Sequence, residues 1–192
     1  MNNFVDIKDI DLNQLKKILT FSARLKEERK SISKGTKDFN EYLANKIVAL
    51  IFKKPSTRTR FSFEVGILQM GGQTLTVSSN EMQISNFESM SDTARVLSQY
   101  LDMVVLRTDN HSDLIDLANY SSIPIINGLS DKSHPCQVLS DIFTFEEIIG
   151  SIEGKKVVWI ALGSSWSRLK TRFQKNACRT WLARGRKARL NV

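Results

Sequence analysis

Four short apolar runs, each separated from the next by a helix-length amphipathic stretch, constrain this chain more than any other feature. The runs are 46–52, 73–77, 102–107 and 123–126. The stretches between them, 57–70, 90–100 and 111–120, carry apolar residues at helical spacing. A longer helix is expected from His134 to Ile149, closed by Gly150, and Gly71-Gly72 closes the helix over 57–70. Ahead of these, Leu12, Leu15, Ile18, Leu19 and Leu25 predict one long amphipathic helix over 11–33, capped by Asp11, and 34–44 reads as a polar connector. Strand–helix alternation with short connections implies an α/β fold, a parallel sheet with helices on both faces. Ligands of such sheets bind beyond the carboxyl ends of the strands. Ser56, Arg107 and the loop before His134 all fall just past strand ends in this reading.

One of those ends has a distinctive composition. The apolar run Ile47–Phe52 leads into Pro55-Ser56-Thr57-Arg58-Thr59-Arg60, where the next helix begins. A helix start has N–H groups without intrahelical partners and the positive end of the macrodipole, which suits phosphate. Ser56 and Thr57 can cap and donate; Arg58 and Arg60 add permanent charge in a planar fork. Local physics also allows a simpler reading, a solvated first turn. Likewise Arg107 can be a strand-end arginine facing water, His134 ahead of Pro135 a helix-entry residue, and Gln83 an exposed loop residue.

The charge is unevenly spread. The chain carries 28 Lys and Arg and 20 Asp and Glu. Residues 163–192 hold nine of the basic residues and no acid, so 1–162 is nearly neutral. Two cysteines and two histidines offer neither a disulfide framework nor a structural zinc set. No stretch approaches the roughly 20 apolar residues of a membrane span, and the N-terminus does not read as a signal peptide. A cytoplasmic setting is the expectation.

Ser56-Thr57-Arg58-Thr59-Arg60 is followed by Glu81-Met82-Gln83, Glu88 to Arg95, and then His134-Pro135-Cys136-Gln137 after Asn127-Gly128-Leu129. In that order and separation these segments resemble the carbamoyltransferase family, in its ornithine branch, from about Ile10 to about Ile160. The resemblance implies a function: carbamoyl transfer from carbamoyl phosphate to ornithine, giving citrulline and phosphate, within arginine metabolism. It implies that Ser56, Thr57, Arg58, Thr59 and Arg60 form the phosphate cradle, with Thr59 also near the carbonyl oxygen. Arg107 would contact both ends of the substrate. His134 would donate to the carbonyl oxygen and Gln137 would take the carbamoyl amide. Arg107 and His134 are the expected catalytic residues. Gln83 would reach a neighbouring subunit's site in a homotrimer. Aspartate carbamoyltransferases place a Lys in that loop, so Gln83 favours the ornithine branch. No metal, organic cofactor or membrane is expected. Cys136 is not expected to act as a nucleophile, since no base stands near it in sequence and the reaction needs no covalent intermediate.

The expected domain organisation is a carbamoyl-phosphate-binding domain over 1–150, the first strand of a second α/β domain over 151–162, and a basic tail of separate origin over 163–192. The second domain is expected to be essentially absent, because the family's ornithine-holding motifs do not follow Leu162. The tail reads as a frame-shifted segment, a nucleic-acid-binding arm or an amphipathic helix, with the frame shift preferred and nucleic acid not an expected partner. The 192-residue chain is therefore expected to be inactive alone. Two alternatives are a non-catalytic anion-binding module with a basic arm, and a relative of aspartate carbamoyltransferase.

Overall fold

A computed structural model describes residues 3–78, 89–159 and 179–182. The chain divides into two compact units, Met1–Cys136 and Gln137–Val192.

The first unit is built on a four-stranded parallel sheet in the order β2-β1-β3-β4. The strands are β1 (Ile47–Phe52), β2 (Gln73–Ser78), β3 (Met103–Arg107) and β4 (Ile125–Leu129). Helix α2 (Thr57–Gln69) links β1 to β2, α3 (Met90–Tyr100) precedes β3, and α4 (His111–Tyr120) links β3 to β4. Alternate residues of a strand face opposite sides, so one sheet feeds two cores. Ala49, Ile51, Val104, Leu106 and Ile125 pack with Ala94, Leu114 and Leu117 from α3 and α4. Val48, Leu50, Phe52 and Val105 pack with Ile67 of α2 on the other side. Helices thus cover both faces, and the α/β expectation holds.

Two boundaries differ from the sequence reading. The long helix expected over 11–33 is α1 (Leu12–Glu28), followed by a 3-10 turn at Arg29–Ser31. Asp11 caps α1, accepting from the Gln14 N–H at 2.7 Å. The chain turns after Glu28 because the Arg29 guanidinium pairs with the buried Asp38 and donates to the Ser33 and Thr36 carbonyls. The last strand starts later and runs further than 123–126. Pro124 has no N–H for the ladder, although its carbonyl accepts from Val104 N–H at 3.0 Å. The turn-like Asn127-Gly128 instead lies inside β4. A short N-terminal segment lies along that edge: Phe4 N–H donates to Ile125 O at 2.8 Å and Asn127 N–H to Phe4 O at 2.9 Å. It covers the ladder groups that an edge strand would otherwise expose.

Helix α5 (Pro135–Ile149) begins at the end of the first unit. Gly150, at φ +91°, closes it, its N–H donating to Glu146 O at 3.0 Å. In the second unit β5 (Lys156–Trp159) pairs in parallel with β6 (Arg179–Leu182), in register Lys156↔Arg179. Backbone 179–182 is therefore extended where one reading of the tail had a helix; Thr180-Trp181 is a sequence suited to a strand. Gln83 and the rest of the basic tail, 163–178 and 183–192, lie outside the described residues.

Candidate anion site at the carboxyl ends of the strands

The loops after β1 and β3 are tied together where they leave the sheet. Lys53 N–H donates to Arg107 O at 2.8 Å, and Lys53 Nζ to Asp113 Oδ2 at 2.7 Å. Thr108 Oγ1 donates to the same carboxylate oxygen at 3.0 Å. These contacts fix where the chain enters α2 relative to the end of β3.

Arg107 is the last residue of β3 and is partly buried. Its Nη1 donates to Ser56 Oγ at 3.0 Å and Thr59 Oγ1 at 3.1 Å. Its Nε is buried without a hydrogen-bond partner. Burial lowers the guanidinium's pKa; Asp109 opposes this and the like charge of Arg58 adds to it. Arginine nonetheless stays charged.

The start of α2 differs in its cap from those of α1, α3 and α4. Asp11, Ser89 and Asn110 cap α1, α3 and α4 through their side chains, whereas Ser56 makes no capping bond. Its hydroxyl faces Arg107 instead. The first turns of α3 and α4 carry Asp92 and Asp113, while that of α2, like those of α1 and α5, carries no acid, and α1 has the Asp11 cap instead. The positive end of α2 therefore lacks the usual local carboxylate. Thr57 and Arg58 are exposed there.

Arg60 points elsewhere. Its Nε donates to Glu64 Oε1 at 3.0 Å, and the Thr76 hydroxyl donates to the same oxygen. The Thr76 bond, helped by Arg60 against desolvation, lowers the Glu64 pKa. The structure thus brings Ser56, Thr59 and Arg107 into direct contact, with Arg58 close enough to influence Arg107, and engages Arg60 along the flank of α2.

The third loop depends on a register shift. Leu106 pairs with Asn127, but Arg107 pairs with Leu129, leaving Gly128 as an extra residue. A Cβ at Gly128 would lie 3.2 Å from Val105 Cγ1 and 3.4 Å from Leu106 O, so a side chain at this bulge would crowd β3. Just before it, the fully buried Asn127 donates through Nδ2 to Val5 O at 2.8 Å and Ser133 O at 3.2 Å. Ser130, Ser133 and His134 are also buried. Burial, with Arg107 as a positive neighbour, lowers the His134 pKa to about 4. At neutral pH His134 is an uncharged imidazole, able to donate from one ring nitrogen.

Gln137 belongs to the second unit, where its Nε2 donates to Asp141 Oδ1 at 2.9 Å. Cys136 donates weakly from Sγ to Asn127 O at 3.5 Å, and burial pushes its thiol up to about 11. It is protonated at neutral pH, which argues against a nucleophilic role. Among the described residues no group of three or more His, Cys, Asp and Glu side chains could hold a metal ion. No helix there is long and apolar enough to cross a membrane.

The sequence reading missed Asn127, Ser130, His111 and Asp131 as builders of this edge. A polar run between an apolar strand and a helix looks like a solvated loop, and only burial reveals the network. The Arg60–Glu64 pairing had a usable signal, since oppositely charged residues four apart on a helix meet.

Residues 2–147 match the family model described as aspartate/ornithine carbamoyltransferase, carbamoyl-P binding domain. An ornithine carbamoyltransferase of Paracoccus denitrificans is 49% identical over 165 residues, covering 86% of this chain and 54% of that protein. The structure of the Pyrococcus furiosus ornithine carbamoyltransferase superposes with a TM-score of 0.76 at 41% identity, covering 82% of this chain and 49% of that one. The catalytic subunit of M. jannaschii aspartate transcarbamoylase also matches, with a TM-score of 0.70 at 32% identity, over 82% of this chain and 51% of that one. The chain spans about half the length of the curated relatives it matches.

Proposed function

The chain belongs to the aspartate/ornithine carbamoyltransferase family, and we propose that its strand-end cluster binds carbamoyl phosphate for transfer of the carbamoyl group to ornithine. The observation that carries this reading is the Arg107 guanidinium donating to both Ser56 and Thr59, beside a helix start with no acid in its first turn. Such an edge is built for a small dianion.

In this assignment the phosphate lies at the start of α2, held by its N–H groups, Ser56, Thr57 and Arg58. Arg107 spans the phosphate and the carbonyl. Thr59 and His134 donate to the carbonyl oxygen, where negative charge grows as the ornithine amine attacks. The tetrahedral intermediate collapses by breaking the carbon–oxygen bond to phosphate, and the amine loses its proton. An uncharged His134 acts here as a hydrogen-bond donor. Gln137 takes the carbamoyl amide, Arg60 supports the cradle from its flank, and Gln83 serves a neighbouring subunit in a trimer. A cytoplasmic location and a place in arginine metabolism go with this assignment. So does the division into a carbamoyl-phosphate-binding domain over 1–150, the start of a second domain over 151–162 and a tail of separate origin over 163–192.

Calorimetry on the 192-residue chain tests the reading. Carbamoyl phosphate should bind saturably, and Arg58→Ala should weaken it by about 1.5–3 kcal/mol, the range for a hydrogen bond to a charged group. Equal affinity in parent and variant would remove Arg58 from the site; no binding by the parent would remove the site itself. Citrulline formation by the same 192 residues should be lower than in full-length relatives by orders of magnitude, since orienting the amine is worth much of the rate.

A further inference from the structure

His111 opens α4, at the far end of the β3–α4 connection from Arg107, and it is buried. Its Nδ1 lies 2.8 Å from Ser130 Oγ, and its backbone N–H donates to Asp131 Oδ1 at 2.9 Å. Ser130 is a hub. Its hydroxyl accepts from Ser133 N–H at 3.2 Å and Lys132 N–H at 3.3 Å, and its own N–H donates to Ser133 O at 2.9 Å. Asn127 Nδ2 holds the same Ser133 carbonyl from below. Ser133 directly precedes His134, so an unbroken set of hydrogen bonds runs from the start of α4 to the backbone that carries His134.

The hydrogen-bond inventory guides the assignment of the protons. A hydroxyl has two acceptor positions and one proton. Two N–H groups fill the acceptor positions of Ser130, leaving its proton for His111 Nδ1 at 2.8 Å or Ser133 O at 3.3 Å. The shorter contact takes it. On this assignment Nδ1 is the acceptor, and the neutral ring carries its proton on Nε2.

We propose that His111 is a positioning residue: by accepting from Ser130 and anchoring Asp131 it fixes the 130–133 loop, and so sets His134 for the carbonyl end of carbamoyl phosphate. This rests on the substrate reading above. It predicts that the two ends of the substrate respond differently. Inorganic phosphate engages only the α2 start and Arg107, which His111 does not touch, whereas carbamoyl phosphate also needs His134.

The chain has two histidines, so imidazole NMR on the 192-residue protein reports each one. In the parent, His111 should show the Nε2–H tautomer and His134 should titrate near 4. His111→Phe fills the space without a nitrogen, and His111→Asn restores an acceptor near the Nδ1 position. In His111→Phe the His134 titration should move up toward the ordinary 6.5 as its loop loosens. Carbamoyl phosphate affinity should fall about tenfold or more, while phosphate affinity stays within about twofold. His111→Asn should recover both properties. Ser130→Ala, which removes the hub and leaves His111 in place, should reproduce the His111→Phe pattern and decides the matter should His111→Phe fail to fold. An Nδ1–H tautomer, an unmoved His134 titration in a folded variant, or equal losses for phosphate and carbamoyl phosphate would overturn the proposal. Should the parent bind no carbamoyl phosphate, the substrate reading fails, while the tautomer and the His134 titration still judge the positioning role.

Discussion

The same strands behave differently along their length. Their bodies are apolar and closed: Val48, Leu50, Val104 and Ile125 are fully buried, with partners from helices on both faces. Their carboxyl ends are polar and built from hydrogen bonds: Arg107 to Ser56 and Thr59, Asn127 to Val5 and Ser133, and the contact between Ser130 and His111. The change of character occurs within one residue, between Leu106, which is 2% exposed, and Arg107. The body supplies stability through burial, and the ends place polar groups that burial alone would disfavour. The two parts should therefore be separable by substitution.

The largest expected effect is in the body. Leu50→Ala should lower unfolding free energy by about 2–5 kcal/mol, from lost burial and the cavity left behind. Denaturant titration measures this, and the folded fraction should keep its affinity for carbamoyl phosphate. A combined loss of stability and affinity would break the separation.

Asn127→Ala comes next. It strands the Val5 carbonyl in a buried setting, at about 1–3 kcal/mol, and takes one donor from the Ser133 carbonyl, which keeps the Ser130 N–H. Because Asn127 belongs to both the strand and the loop, it should affect both properties, and an effect on stability alone would sharpen the boundary between the two parts.

A pH series gives a smaller and directional effect. Burial lowers the pKa of both His134 and His111 in the folded protein, so the unfolded chain binds protons that the folded one does not. Stability should be complete above the ordinary histidine value of 6.5 and should fall as pH drops from there toward about 4. Replacing both histidines should flatten that slope; an unchanged slope would mean that carboxylates alone produce it.

Arg60→Gln should have the smallest effect. Its pair with Glu64 is half exposed and spans one helical turn, worth about 0.3–0.5 kcal/mol. It should weaken carbamoyl phosphate far less than Arg58→Ala does. Equal losses would move Arg60 into the cradle.

The strand bodies were the most legible part of the sequence, because continuous apolar runs between amphipathic stretches have few other solutions. Helix starts were legible where a capping residue preceded them, as at Asp11. The C-terminal limit of β4 was not, since Asn127-Gly128 has the local chemistry of a turn and becomes a strand only through a bulge and a buried amide. Phe4 was hidden for a different reason: three residues along a sheet edge are too few to show a period. Of the cradle, Ser56 and Arg107 were legible as residues at strand ends, whereas Thr59 entered only through the family resemblance. The partner of Arg60 was a competition between a distant anion and a carboxylate one turn away, which the nearer group wins here. His111 stood among polar residues with no sequence signal to separate a helix-entry histidine from a buried acceptor.

The most direct test uses the two neighbours at the change of character. Thermal unfolding would be followed for the parent, Leu106→Ala and Arg107→Met, each with and without saturating carbamoyl phosphate. A ligand that binds the folded state raises the unfolding temperature by mass action, by about 2.7 kcal/mol at a hundred times its dissociation constant. Leu106→Ala should unfold at a much lower temperature yet keep the ligand-induced rise. Arg107→Met should unfold close to the parent and lose that rise. Equal ligand-induced rises in the parent and in Arg107→Met would contradict the account, because Arg107 would then contribute nothing to a site it is held to centre.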